Sequence, residues 1–245
     1  MDMQPSANTP VQTKPFAWSF SRLKNYETCP RRHLEVDILK NFKEEGSEAL
    51  MWGEQVHKAA ELCIGKNEPL PVGMPILQSW IDKIKSVPYD KVYVEQKLAI
   101  TRDFTACGYY DKPCWFRTKA DVLGITGPVA LAIDWKTGKL VEESQQLALM
   151  AAAAFANFPK LQKIRTEFIW LKEGKDVSTR EDFSRKDIVH IWRNIWPRIE
   201  TLEQAYNTNT YPEVLKTFAR LLDGTPKVQT FESVTSTFHN VAVAA

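Results

Sequence analysis

Apolar and polar residues alternate along several stretches in the middle of the chain, and this two-residue period is typical of β-strands. The stretches are VYVEQKLAI after Lys91, WFRTKADVLG from Trp115, VALAIDWK from Val129, KIRTEFIWLK from Lys163 and, as an edge strand, VSTREDF. The turn Thr126-Gly127-Pro128 separates the second stretch from the third, so these two strands should be antiparallel neighbours.

A helical period precedes the strands. The first predicted helix is capped by Ser19 and is kinked or divided at Pro30. The second covers 47–64, and its expected buried residues are Leu50, Ala60, Leu62 and Ile64. The third follows the proline-rich joint at 69–75.

Helices also follow the third strand. Residues 142–157 are mostly small, which predicts a helix lying flat on the sheet, with Glu142 and Glu143 at its N-terminus. An amphipathic helix is predicted over 184–207 and a short one near 212–222.

These elements predict one α/β domain, in which helices flank a mixed central sheet and a helical annex precedes it. We expect a disordered tail over 1–15, a single domain over 16–222 and a polar tail over 223–245. Within the domain we expect the annex at 16–90, the sheet core at 91–172 and the C-terminal helices at 184–222.

The composition of the chain limits which partners and which cellular compartment we expect. Lys and Arg total 32 against 30 for Asp and Glu, so a surface for a polyanion must come from local clustering. The four cysteines have no CxxC spacing, which predicts reduced thiols in a cytoplasmic protein. No apolar run approaches the length of a membrane span, and the N-terminal segment lacks the apolar core of a signal peptide, so we expect no membrane partner.

The third predicted strand carries the main candidate chemistry. Side chains alternate between the two faces of a strand, so Asp134 and Lys136 share a face that is otherwise lined by alanines. A carboxylate and an ammonium at this spacing can bind a divalent cation and stabilise charge on a phosphate. The ordinary alternative is an exposed ion pair, and His57 on the second helix is, on general grounds, more often structural.

The neighbouring strand adds a second carboxylate. Its alternation places Arg117, Lys119 and Asp121 on one face, opposite Phe116, Ala120 and Val122. Asp121 and Asp134 would then face one space from adjacent strands, which indicates a metal site more strongly than either residue alone. Glu95 and Lys97 form a rival acidic-x-Lys pair, which we rank lower, with Glu95 as a neighbour of the site.

Five motifs occur in order along the chain: CPRR at 29–32, GEQVH at 53–57, KADVLG around Asp121, IDWKTGK around Asp134 and QLALMAAAA from Gln146. This ordered set resembles the RecB-like and Cas4-like branch of the PD-(D/E)xK nuclease superfamily, many of whose members are phage-encoded exonucleases. The resemblance covers residues 19 to about 171. It implies a restriction-endonuclease-like fold and metal-dependent hydrolysis of phosphodiester bonds in DNA.

The resemblance also implies roles for single residues. Asp121 and Asp134 are similar to the metal-ligating carboxylates of the family, and the carbonyl of Trp135 is similar to a further metal ligand. His57 resembles a helix-borne histidine beside the metal, and Lys136 resembles the residue that orients or activates the attacking water. Gln146 resembles a glutamine that contacts DNA near the scissile phosphate. The implied cofactor is Mg²⁺ or Mn²⁺. DNA needs a local basic patch, and the candidates are Arg22, Arg31, Arg32, Arg117 and Lys119.

One departure from the family concerns cysteine. Similar nucleases often hold an iron–sulfur cluster with one cysteine in the CPRR region and three near the C-terminus. Cys29 has the first position, but no cysteine follows Cys114, so we expect no iron–sulfur cluster.

The sequence therefore favours a metal-dependent DNA nuclease, more specifically an exonuclease of DNA recombination, repair or phage DNA processing. Two alternatives remain at this point: a non-catalytic DNA-binding or protein-interaction module on the same fold, and a structure-specific or RNA-directed nuclease. The sequence also leaves open whether the chain acts as a homo-oligomer or with a recombination protein.

Overall fold

The computed structural model describes residues 14–42, 46–142 and 144–211. The helix expected near 212–222 and the tail over 223–245 lie outside these residues, as does nearly all of the tail expected over 1–15. Glu143 also lies outside them.

Five strands form one sheet in the order β1-β2-β3-β4-β5. The strands are β1 (Lys91–Ile100), β2 (Phe116–Thr126), β3 (Val129–Lys136), β4 (Lys163–Trp170) and β5 (Ser178–Ser184). Neighbouring strands are antiparallel except β3 and β4, which are parallel. The predicted α/β class with a mixed central sheet is confirmed.

Six helices surround the sheet in the described part of the chain. They are α1 (Phe20–Thr28), α2 (Pro30–Arg32), α3 (Glu48–Lys66), α4 (Pro75–Ser86), α5 (Gln145–Asn157) and α6 (Ile188–Thr208). A π-helical turn, His33–Ile38, continues α2, and a 3₁₀ turn, Arg185–Asp187, leads into α6. α5 connects the two parallel strands β3 and β4, as a parallel pair requires a crossover.

The N-terminal helices begin and end at the residues that the sequence predicted. The Ser19 side chain accepts a hydrogen bond from the Arg22 N–H and begins α1. Pro30 divides the segment, because α1 ends at Thr28 and Pro30 stands in the first turn of α2. The Cys29 sulfur accepts a bond from the Arg32 N–H, so this cysteine caps a helix.

The sheet separates two apolar clusters. On the first side, which we call the α5 face, the small residues of α5 pack closely on the strands, and α1 and α6 cover them. On the second side, the α3 face, residues of α3 and α4 pack on Val122, Ile133 and Trp135. The alternation predicted for β3 is therefore observed: Ala132 lies on the α5 face, with Ile133 and Trp135 on the other.

Two expectations about the helices are wrong. Leu50 is 53% exposed, because the buried side of α3 is formed by Val56, Ala59, Ala60 and Cys63 and the first turn extends past the apolar cluster. Glu142 precedes α5, which begins at Gln145 with Ser144 at its N-cap position. The backbone carbonyl of Ser144 accepts the N–H groups of Leu147 and Ala148, which begins the helix three residues after Glu142.

Candidate active site

The pairing of β1 with β2 is interrupted at one position. Val94 pairs with Val122 and Gln96 pairs with Ala120, but Glu95 and Asp121 between them are missing from the ladder. Glu95 has φ +52°, a left-handed backbone that costs a non-glycine residue roughly 1–3 kcal/mol and that tends to occur at functional sites. The irregularity places two carboxylates side by side.

The same irregularity corrects the alternation predicted for β2. Phe116 and Ala120 pack on the α5 face, but Val122 packs with Ile133 and Trp135 on the α3 face. The prediction that Val122 shares a face with Phe116 and Ala120 is wrong, because strict alternation assumes a regular strand.

Asp121 is held in a fixed position by two neighbouring elements. Its Oδ2 accepts the Trp135 N–H at 2.7 Å, and its Oδ1 lies 3.1 Å from Nδ1 of His57 on α3. Lys119 Nζ lies 3.9 Å from the same Oδ1, and only 3% of Asp121 is exposed. The carboxylate is therefore buried with its acceptors directed toward a helix and the end of β3.

Asp134 lies where β2 and β3 separate. Their ladder ends with Val122 opposite Ile133, so the next residues in register are Asp121 and Asp134. Lys136 Nζ is 2.5 Å from Asp134 Oδ2, so the buried carboxylate forms an ion pair with this ammonium. A buried carboxylate whose own neighbour is a lysine two residues along the strand can bind a cation and stabilise charge on a phosphate.

Gln146, in the first turn of α5, reaches the same place from the other side of the sheet. Its Oε1 accepts a bond from Lys136 Nζ at 3.1 Å, and its Nε2 lies 3.5 Å from Asp134 Oδ1. The structure thus brings His57, Asp121, Asp134, Lys136 and Gln146 together from α3, β2, β3 and α5.

Charge repulsion and burial shift the pKa values of these groups in the metal-free protein. Burial raises the pKa of the Asp134 carboxyl, and the charge of Asp121 adds to that rise, while Lys136 opposes it. Burial lowers the pKa of His57, but the hydrogen bond and charge of Asp121 outweigh it, so the pKa is raised. The rise at His57 reflects the neighbouring Asp121, whereas the rise at Asp134 comes first from burial. A cation bound here would favour the charged form of the carboxylates.

The side chains present fit a divalent metal ion. Ligand atoms of His57, Glu95 and Asp121 lie within 4.8 Å of one another, and Asp134 is next in register to Asp121 on the neighbouring strand. Carboxylate oxygens suit Mg²⁺ and Mn²⁺, and one imidazole favours Mn²⁺ somewhat. The backbone N–H of Trp135 is engaged by Asp121, and a ligand role for its carbonyl stays a prediction.

Glu95, which the sequence analysis expected as a neighbour of the site, is itself a candidate ligand. It belongs to the cluster only because β1 pairs with β2 in the register that puts it opposite Asp121. The connection between these strands, 101–115, is too long to fix a register by turn type. The acidic-x-Lys spacing of Glu95 and Lys97 was the available signal, but it indicated a separate pair.

Two residues of the cluster, His57 and Glu95, line an open cleft of about 430 Å³ beside α3. Gly53 lines this cleft one turn before His57, and a Cβ there would lie 3.0 Å from Oγ1 of Thr137. A glycine therefore lets α3 approach the segment after β3 closely enough for His57 to reach Asp121.

The predicted DNA-binding residues fall into two groups. Lys119 lines the cleft and pairs with Glu95, and Arg117 lies two residues earlier on β2. Arg22 donates to the Ala17 carbonyl at 3.2 Å and Arg31 pairs with Glu35, both within the N-terminal helices, where Arg32 also lies. A role for these three arginines in binding DNA stays a prediction.

Replacing Glu95 with glutamine is expected to weaken Mn²⁺ binding at least ~10-fold, because it removes a charged ligand and leaves Lys119 beside the site. Calorimetric titration of the two proteins measures the change. The matched control is Glu61→Gln, since Glu61 also lines the cleft but pairs with Lys58. Parental affinity in the Glu95 variant would remove Glu95 from the ligand set.

Comparison with known proteins gives a family and a fold. A family model described as the PD-(D/E)XK nuclease superfamily matches residues 17–233. The crystal structure of a candidate exonuclease from Eubacterium rectale has a TM-score of 0.53 at 12% identity, covering 94% of this chain and 97% of that chain. This likeness concerns the fold, and it confirms the predicted restriction-endonuclease-like class.

A second solved structure, that of SSO0001, has a TM-score of 0.39 at 13% identity and covers 77% of this chain and 78% of that chain. No curated protein matches the sequence. Among the described helices, none combines the length and the apolar character needed to cross a membrane.

Proposed function

The chain belongs to the PD-(D/E)XK nuclease superfamily, and from that membership we propose that it is a metal-dependent DNA nuclease that acts as an exonuclease. The observation that carries the proposal is the pair Asp134 and Lys136 at the end of β3, with Asp121 next in register to Asp134 and grouped with His57 and Glu95. These residues supply the carboxylates and the lysine that the family motif implies.

The acidic cluster would hold the cation. The clustered His57, Glu95 and Asp121 would ligate it from α3, β1 and β2, and Asp134, next in register to Asp121 on β3, would add a further carboxylate. Bound there, Mg²⁺ or Mn²⁺ supplies positive charge for the phosphate oxygens and lowers the pKa of a water molecule. The protein's own contribution is to hold these like charges together before any substrate arrives.

Lys136 has a separate part in the proposed reaction. Its ammonium sits at the end of β3, held by the Gln146 oxygen and lying 4.3 Å from the centre of the Phe168 ring. From this position it can donate a hydrogen bond to the attacking water or to a phosphate oxygen and stabilise the charge that develops in the transition state. Gln146 fixes the ammonium, in addition to the DNA contact that the family resemblance implies.

A non-catalytic module is the less favoured alternative. Two buried carboxylates of like charge destabilise a protein unless something pairs with them. A binding module has no physical need to keep Asp121, Asp134 and Lys136 together. Membership of the RecB-like and Cas4-like branch, and a process such as DNA recombination, repair or phage DNA processing, are proposed from the sequence motifs alone.

The test is incubation of end-labelled linear DNA and closed circular DNA with Mg²⁺, Mn²⁺ or EDTA. We expect linear DNA to be degraded in either metal and preserved in EDTA, with closed circles resistant because an exonuclease requires an end. The Asp134→Asn protein is the control for contaminating nuclease. Cleavage of circles would select an endonuclease, and absence of metal-dependent cleavage of any DNA or RNA would refute the proposal.

A further inference from the structure

We propose that a single-stranded DNA end reaches the site across a platform formed by Lys97, Tyr109, Tyr110 and Arg117, an inference that rests on the proposed function. The platform lies on β1, β2 and the loop 101–115 between them. None of its four side chains belongs to the metal cluster.

The platform combines the half-buried ring of Tyr109 and the exposed ring of Tyr110 with cations. The Tyr109 and Tyr110 rings are 5.1 Å apart at 78°, and Tyr110 is 75% exposed. Lys97 Nζ lies 4.9 Å from the Tyr110 ring centre, and Arg117 Cζ lies 5.3 Å from that of Tyr109. Aromatic faces beside positive charge are the combination that binds single-stranded nucleic acid, by stacking on bases and attracting phosphates.

The loop presents the tyrosines from a hydrogen-bonded turn. Gly108 N–H donates to the Asp111 carboxylate at 2.9 Å, Asp111 N–H donates to the Gly108 carbonyl, and Cys114 N–H donates to the Asp111 carbonyl. A Cβ at Gly108 would lie 2.4 Å from Asp111 Oδ2, so a larger residue here would displace the carboxylate that accepts the Gly108 N–H. Preorganised rings lose little entropy on binding a base.

The cations of the platform are not neutralised by the protein. In the described residues, neither Lys97 nor Arg117 forms an ion pair, and the buried Nε of Arg117 has no acceptor. The nearby Asp111 carboxylate is engaged by the turn. Two unpaired cations beside two rings are therefore available to phosphates.

The platform leads toward the metal cluster. Arg117, Lys119 and Asp121 occupy alternate positions of β2, and Lys97 is the register partner of Lys119. Four residues of strand span ~13 Å, or about four stacked nucleotides at 3.4 Å each. A strand lying on the tyrosines thus extends to the site, whereas a duplex hides its base faces inside the stack.

The experiment measures binding by the full-length protein in EDTA, with fluorescent oligo-dT and a blunt duplex of equal length. Replacing both tyrosines by alanine should weaken oligo-dT binding ~10-fold or more and duplex binding less than ~2-fold. Tyr109→Phe with Tyr110→Phe should retain affinity. Lys97→Ala should weaken binding more than Lys91→Ala, a control from the other end of β1 that also faces a tyrosine ring.

Thermal melting checks that each variant is folded. If the double alanine variant is not, the single Tyr110→Ala change at an exposed side chain decides the matter. Unchanged affinity for oligo-dT, or equal losses for single strand and duplex, would overturn the platform even if the protein degrades DNA. Selective loss of single-strand binding supports it even if no DNA is cleaved, so the two proposals fail separately.

Discussion

Replacing Lys136 with alanine is expected to slow the cleavage of linear DNA about 10³-fold while the protein still binds Mn²⁺. The change removes the ammonium that lies 2.5 Å from Asp134 but leaves every carboxylate in place. Losing a positive charge next to the ligands should leave metal affinity unchanged or higher. Single-turnover cleavage and calorimetric titration with Mn²⁺ measure the two effects independently.

Lys139→Ala is the matched control, because this exposed lysine lies three residues farther along the same segment. It should cleave at nearly the parental rate. Binding of DNA in Ca²⁺ should survive in both lysine variants, which separates a chemical defect from a binding defect. If the Lys136 variant cleaves as fast as the parent, then Asp134 and Lys136 are an ordinary ion pair and the mechanism is wrong.

The alternation of β3 could be predicted from the sequence because the two faces of that strand have different neighbours. Ala132 meets the small residues of α5, whereas Ile133 and Trp135 fill the space beneath α3 and α4. The size of each side chain in β3 therefore indicates the face of the sheet on which that residue lies. The position of Asp134 and Lys136 at the open end of this strand followed from the same pattern.

Glu95 could not be placed with the same certainty, because its role depends on a long-range register. A left-handed backbone at a glutamate has no local sequence signal such as glycine or asparagine. Pairing with Asp121 becomes visible only when β1 and β2 are aligned across a loop whose length does not determine the register. The wrong face assigned to Val122 has the same origin.

Tertiary packing also decided which residues of α3 are buried. The apolar run at its start, Leu50, Met51 and Trp52, is exposed, and burial begins at Val56. A local pattern shows that a helix has an apolar side but not where the helix leaves the sheet. The exposed first turns border the cleft, since Leu50 lines it.

Asp134→Asn should have opposite effects on stability and on function. Burial raises the pKa of Asp134 above its ordinary value, so in the metal-free protein the folded state holds its proton more tightly than the unfolded chain does. Stability is therefore lost as the pH rises from the unfolded pKa through the raised folded pKa, so that at pH 7, above the unfolded pKa, burying this carboxyl group costs stability. Asparagine removes this cost.

In EDTA at pH 7, the asparagine variant should therefore melt at a higher temperature than the parent, by about 2–4 °C for each kcal/mol of relieved repulsion in a chain of this size. Mn²⁺ should stabilise the parent by mass action but not the variant, and the variant should cleave no DNA. Asp82→Asn, at an exposed position on α4, should change neither property. A variant that melts lower than the parent in EDTA, yet still gains stability from Mn²⁺, would show that Asp134 is a structural carboxylate and that the metal binds elsewhere.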